Sequence, residues 1–68
     1  MNKFAARIKE LREEKNLTKT QLANAVKLSD NIVGRWENGT RMPSLDTLIL
    51  LAKFFNTSTD FLLGLKDY

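Results

Sequence analysis

The sequence predicts an all-α domain built from five short helices. Three observations lead there. Apolar residues recur at three- and four-residue spacing along most of the chain, no stretch alternates cleanly between apolar and polar, and Gly and Pro occur only at Gly34, Gly39, Gly64 and Pro43. Helical periodicity with short breaks leaves helix-on-helix packing as the way to bury the apolar faces.

The first helix is expected from about Lys3 to Glu14. Phe4, Ile8 and Leu11 fall at i, i+4 and i+7 and make one apolar stripe, with Arg7, Glu10, Glu13 and Glu14 off it. Asn16 suits the left-handed residue that ends a helix. Thr18 opens a second helix: in Thr18-Lys19-Thr20-Gln21 the hydroxyl takes the Gln21 amide and Gln21 reaches back, a capping box. Leu22 and Val26 form its buried face, and Ala23 is small where a neighbouring helix comes close. After a break at Lys27-Leu28-Ser29, Ser29 is expected to cap a third helix from about Asp30 to Glu37, with Leu28, Val33 and Trp36 turned inward. Asn38-Gly39 stops it, and residues 40–43 form a loop. Ser44 caps a fourth helix from Leu45 to Phe55, striped by Leu48, Leu51, Ala52 and Phe55, and Ser58 caps a last one carrying Phe61 and Leu62. Helical spacing assigns Trp36, Phe54, Phe55 and Phe61 to the core rather than to base stacking.

Composition narrows the function. At 68 residues the chain is expected to form one domain, residues 1–68. Without Cys or His there is no disulfide, no thiolate metal site, no cysteine nucleophile and no histidine base. Asp46, Asp60 and Asp67 are scattered, no phosphate loop is present, and no enzyme activity, metal or cofactor is implied. No apolar run is long enough to span a membrane and the N-terminus lacks the apolar region of a secretory signal, so the expected location is cytoplasmic. The net charge of +3 is unevenly spread: residues 1–41 carry nine Lys/Arg against five Asp/Glu, residues 42–68 two against three. A basic half on a catalytically bare domain fits either a polyanion partner or an ordinary solvated surface.

The second and third helices decide between them. Leu22, Val26, Leu28 and Val33 bury the inner faces of two helices joined by a tight turn, leaving Asp30, Asn31, Gly34 and Arg35 pointing outward. This is the helix-turn-helix arrangement, whose second helix stands free to enter a DNA major groove.

The chain also resembles the lambda-repressor-like, Cro-type (XRE) helix-turn-helix regulators. The resemblance runs from Phe4 to Gly64 and is carried by Arg7-Ile8-Lys9-Glu10-Leu11-Arg12, Leu17-Thr18, Gln21-Leu22-Ala23, Ile32-Val33, Arg35-Trp36-Glu37-Asn38-Gly39, Arg41-Met42-Pro43-Ser44-Leu45, Leu48, Leu51-Ala52 and Phe61-Leu62-Leu63-Gly64. It implies a repressor of the phage or bacterial type. It also implies an ion pair between Arg12 and Glu37, with Arg12 open to phosphate as well. Two positions depart from the family. Lys27 stands where the turn usually has Gly, so a left-handed backbone there is strained by ~1 kcal/mol or more. Lys19 stands where Gln is usual, which keeps a phosphate contact but loses the planar amide.

Each outward residue has a functional and a plain reading. Arg35 can fork onto guanine O6 and N7, and Asn31 can pair with adenine or bond locally near the helix start. Asp30 either accepts from a cytosine or simply favours the helix dipole, the second reading being the stronger. Ile32 packs either on a thymine methyl or into the core. Gly34 costs ~1 kcal/mol in a helix and either lets the helix approach the groove or has drifted at a solvent-facing site. Ser29, Lys19, Asn38, Thr40 and Arg41 are phosphate or backbone contacts, or else capping and turn residues. Leu63, Leu65 and Tyr68 have little chain left to cover them and suggest a homodimer seam. The expected function is therefore a dimeric repressor that reads an inverted repeat in double-stranded DNA. The alternative is a protein-interaction module, such as an antitoxin bound to its toxin or a regulator held by a protein antagonist.

Overall fold

The structure is a computed structural model in which residues 3–68 are described. Five helices follow in order, α1 (Lys3–Glu14), α2 (Lys19–Ala25), α3 (Ile32–Glu37), α4 (Leu45–Phe54) and α5 (Thr59–Leu63), with no strand among the described residues. None of these helices is long and apolar enough to cross a membrane.

Local chemistry starts and stops nearly every element. The capping box at Thr18 is complete: the Gln21 amide donates to Thr18 Oγ1 at 3.0 Å and the Thr18 amide to Gln21 Oε1 at 2.8 Å. Ser44 Oγ accepts from the Thr47 amide and Ser58 Oγ from the Phe61 amide. Ser29 departs from expectation. It caps nothing, and α3 begins at Ile32 rather than Asp30, because the Ser29 carbonyl takes the Ile32 amide (3.2 Å) in a turn and its hydroxyl is directed to Asn31 Oδ1 (3.3 Å). Asn31 occupies the cap position without a side-chain bond to the helix.

All five helices end by one device. Asn16, Lys27, Gly39, Asn56 and Gly64 have positive φ, and the amide of each following residue returns to a carbonyl five residues back, from Leu17 to Arg12, Leu28 to Ala23, Thr40 to Arg35, Thr57 to Ala52 and Leu65 to Asp60. Lys27, at φ 60°, closes its turn as a glycine would and carries the strain expected of a side chain there.

One core joins the helices. Phe4 and Ile8 of α1, Leu22 and Ala23 of α2, Val33 and Trp36 of α3, Leu48, Leu51 and Ala52 of α4 and Leu62 of α5 are buried in a single cluster that Val26 and Phe55 complete. The Trp36 and Phe4 rings meet edge to face, centroids 5.9 Å apart. Trp36 Nε1 is buried without a hydrogen-bond partner. That costs roughly 1–3 kcal/mol, less than the ~4–6 kcal/mol gained by removing an indole of this size from water.

Three side chains lie elsewhere than their spacing suggests. Leu28 and Phe54, expected inside, are each 36% exposed, because Leu28 falls in the turn beyond α2 and Phe54 lies at the rim of α4 against Phe55. Arg7, off the apolar stripe of α1, is nonetheless largely covered. Its guanidinium lies over the half-buried Phe61 ring at 4.2 Å, donates to the Phe61 and Lys66 carbonyls, and pairs with Asp67 at 3.6 Å. Arg7 thus fastens α5 and the C-terminal residues to α1.

Gly64 ends α5 against the start of α1. Its φ is +83°, and an added Cβ would lie 2.5 Å from Lys3 Cβ and Cγ. Gly64→Ala should therefore cost at least ~1–2 kcal/mol from the left-handed backbone alone, lowering the melting midpoint by about 4–8 °C per kcal/mol. A thermal melt followed by circular dichroism checks this, and an unchanged midpoint would show that Gly64 does not end α5 in a left-handed conformation against Lys3.

Candidate nucleic-acid interface

The site begins with an ion pair that holds α3 to α1. Arg12 donates from Nε to Glu37 Oε2 at 2.7 Å and from Nη2 to Glu37 Oε1 at 3.1 Å, a two-pronged match of guanidinium and carboxylate. Its Nη1 donates to the Leu17 carbonyl at 2.8 Å. The side chains are only 11% and 6% exposed, so one guanidinium joins α1, the turn before α2 and the end of α3 away from most solvent. The Glu37 hydrogen bond raises the Arg12 pKa above its already high ordinary value, against the opposing effect of burial. On Arg12's account, stability is fully present below the ordinary guanidinium pKa and is lost only as strongly alkaline pH passes the raised one. The cation is constant through the neutral range.

Beside this pair, α1, α2 and α3 border an open depression lined by Lys9, Lys19, Asn31, Gly34, Arg35 and Asn38 together with Arg12 and Glu37. Among the described residues, Lys9, Lys19 and Arg35 belong to no ion pair. Glu37 is the one carboxylate on the lining, and Arg12 occupies both its oxygens. The depression therefore presents uncompensated positive charge. Nothing rises from its Gly34 side: a Cβ there would have Lys19 Cδ, 4.0 Å away, as its nearest neighbour.

The turn after α3 exposes the Arg35 side chain while using its backbone. The Arg35 carbonyl receives the Thr40 amide at 3.0 Å, the Arg41 amide at 3.3 Å and the Thr40 hydroxyl at 3.3 Å. Asn38 Oδ1 takes the Thr40 amide and hydroxyl, so its carbonyl side is committed to the turn and its amide NH₂ remains to donate outward.

The other sequence-predicted positions do not join this depression. Asp30 and Ser29 are exposed in the turn before α3. Ile32 is half-buried and packs on the core; with Arg41 it borders a smaller hollow formed also by Leu28, Met42 and Pro43. Leu63, Leu65 and Tyr68 are exposed at the far end of the chain, Leu65 and Tyr68 by 72% and 82%. Among the described residues no three His, Cys, Asp or Glu side chains form a metal-binding group. Lys9 was not singled out by the sequence. The signal was its spacing, since it precedes Arg12 by three residues and so shares the α1 face that Arg12 turns to α3.

A helix-turn-helix family model matches residues 8–62. The chain belongs to the helix-turn-helix family. Its lambda-repressor-like character, expected from the spaced matches between Phe4 and Gly64, holds at the level of fold. The regulator YobD of Bacillus subtilis is 34% identical over 94% of this chain and 57% of its own length. A transcriptional regulator from Listeria innocua superposes with a TM-score of 0.87 at 30% identity, covering 94% of this chain and 60% of that one. The P22 c2 repressor, solved in complex with a synthetic operator, superposes with a TM-score of 0.83 at 27% identity over 88% of this chain and 91% of that one. These relatives are named as regulators and repressors rather than enzymes. The chain spans about half the length of the curated relatives it matches. In this helix-turn-helix protein the paired helices are α2 and α3, and the Arg12–Glu37 pair sets the second against the rest of the domain.

Removing one partner should expose how much depends on that pair. Glu37→Ala strands a largely buried guanidinium, typically a loss of about 3–5 kcal/mol. A chain of this size has only roughly 3–10 kcal/mol in all. Glu37→Gln keeps one acceptor and should lose less. Urea titration at neutral pH orders the three proteins, and equal stability of Glu37→Ala and the wild type would remove the pair from its central place.

Proposed function

We propose that residues 1–68 act as one sequence-specific, double-stranded-DNA-binding domain of a cytoplasmic transcriptional repressor, with α3 entering the major groove. The observation that carries this reading is the positive depression along α3, whose exposed Arg35 is unpaired while the opposite face of α3 is buried. The operator-bound P22 c2 repressor supports it by fold. Arg35 and Asn31 read base edges, with Asp30 and Ile32 at the margin of the reading face. Lys19, Asn38, Ser29, Thr40 and Arg41 contact phosphate and backbone. Selection of bound sites from random duplexes tests the reading directly. The expected result is one recurring motif, and recovery of unrelated sequences overturns sequence-specific binding.

The two kinds of contact separate by salt. Each phosphate neutralised on duplex DNA adds about −0.9 to the slope of log affinity against log salt. Lys19→Ala should weaken selected and random duplexes alike and make that slope shallower. Arg35→Ala should cost ~1–3 kcal/mol of preference at one base pair and leave random DNA nearly unchanged. If Arg35→Ala weakened both equally, Arg35 would be a backbone contact.

A lone α3 reads few base pairs, so a site in a genome calls for two. The exposed Leu63, Leu65 and Tyr68 supply a seam for a homodimer, held in place by Arg7. Two copies of α3 then face successive major-groove turns ~34 Å apart, and the operator is an inverted repeat with half-sites about 10–11 base pairs apart. Leu65→Asp should dissociate the pair and reduce operator affinity while the helical spectrum persists. Sedimentation checks the premise: a monomer at tens of micromolar, alone and on the selected DNA, would overturn it. The same apolar tail favours a second reading, docking of a toxin or antagonist. Absence of any duplex shift at low salt would leave that reading in place of DNA binding.

A further inference from the structure

We propose that Lys9 of α1 contacts the DNA backbone, so that one phosphodiester is seated between Lys9 and Lys19 at the edge of the depression, beside the base-reading Arg35. The inference rests on the DNA-binding reading above and extends its footprint to a helix outside the helix-turn-helix pair.

Four observations place the phosphate there. Lys9, Lys19 and Arg35 come from three different helices and line one depression. None of the three is in an ion pair among the described residues, although Glu10, Glu13 and Glu14 share a second shallow groove with Lys9. Glu37 cannot neutralise the cluster, because both its oxygens are taken by Arg12 at 2.7 and 3.1 Å. Gly34 leaves the space between the cations open, with no side chain of its own and Lys19 Cδ as the nearest atom a Cβ would meet. Converging unpaired cations around an open hollow repel one another in the free protein and are relieved by an anion. Beyond Lys9 the sign changes. Glu10, Glu13 and Glu14 repel phosphate, so Lys9 marks the edge at which the duplex leaves the protein.

Lys9 differs in kind from Arg35. Its ammonium is a point charge on a flexible stem, suited to a phosphate oxygen rather than to the planar edge of a base. It should therefore add affinity without sequence preference.

The test measures wild type, Lys9→Ala, Lys9→Gln and Lys9→Arg on the selected duplex and on a random duplex from 0.05 to 0.3 M KCl, with thermal melts alongside. Lys9 is exposed, so all four should melt alike. The expected result is a slope shallower by about 0.9 for Lys9→Ala and Lys9→Gln, equivalent to about fivefold weaker binding at 0.15 M salt. The loss should be equal on both duplexes and restored by Lys9→Arg. Unchanged affinity and slope in Lys9→Ala, with Lys19→Ala still impaired, overturns the Lys9 contact and leaves the DNA reading standing. No binding of any duplex by the wild type overturns both. Inorganic phosphate is the second probe, at constant ionic strength. Micromolar capture of phosphate, lost in Lys9→Ala while duplex binding is untouched, would make this a free-anion site and overturn the assignment to DNA.

Discussion

The Arg12–Glu37 pair is the constraint on which the other features of the domain depend. A short chain without cysteine has one core to hold it, and α3 is a helix of six residues that has little stability of its own. The buried side of α3 is fixed by Val33 and Trp36. Its C-terminal end is fixed by one guanidinium that also grips α1 and the Leu17 carbonyl. Apolar packing alone lets a short helix slide or rotate at modest cost. A two-pronged hydrogen-bonded pair has a narrow geometry, so it sets the direction of the outward face as well as its attachment.

The same pair also determines the charge of the surface. An unpaired Glu37 would lie among Lys9, Lys19 and Arg35 and cancel much of their field. Satisfied by Arg12, it is withdrawn from that role, and a protein of net charge +3 presents a locally concentrated positive hollow. The sign of the α1 surface then changes at Lys9, which borders both this hollow and a groove lined by Glu10, Glu13 and Glu14. Separation of charge over one helix orients a polyanion more strongly than net charge does.

Local preference is set aside at two positions of the α2–α3 unit. Lys27 holds a left-handed backbone in the turn between α2 and α3, and Gly34 sits inside α3, where Ala would be favoured. Each costs of order 1 kcal/mol. Elsewhere the turns follow local rules, with Asn or Gly at the remaining left-handed ends.

The sequence by itself determined what depends on neighbours within about five residues. The capping box at Thr18, the caps at Ser44 and Ser58, the stops at Asn16 and Asn38-Gly39, and the stripes of α1 and α4 were all legible, because each is a hydrogen bond or a helical repeat closed inside its own segment. Arg35 and Lys19 were legible as outward cations for the same reason, and the Arg12–Glu37 pair through the family resemblance. A competing local turn decided the start of α3, which lies past Ser29 because the Ser29 carbonyl and hydroxyl are engaged with Ile32 and Asn31. Tertiary structure decided the rest. It left Leu28 and Phe54 half in solvent, and covered Arg7 with α5 and the C-terminal residues. It brought Lys9 to Lys19 and Arg35, and Gly64 to Lys3. These are contacts between segments distant in the chain. A helical repeat says which residues share a face, and only the packing of one helix on another says what that face meets.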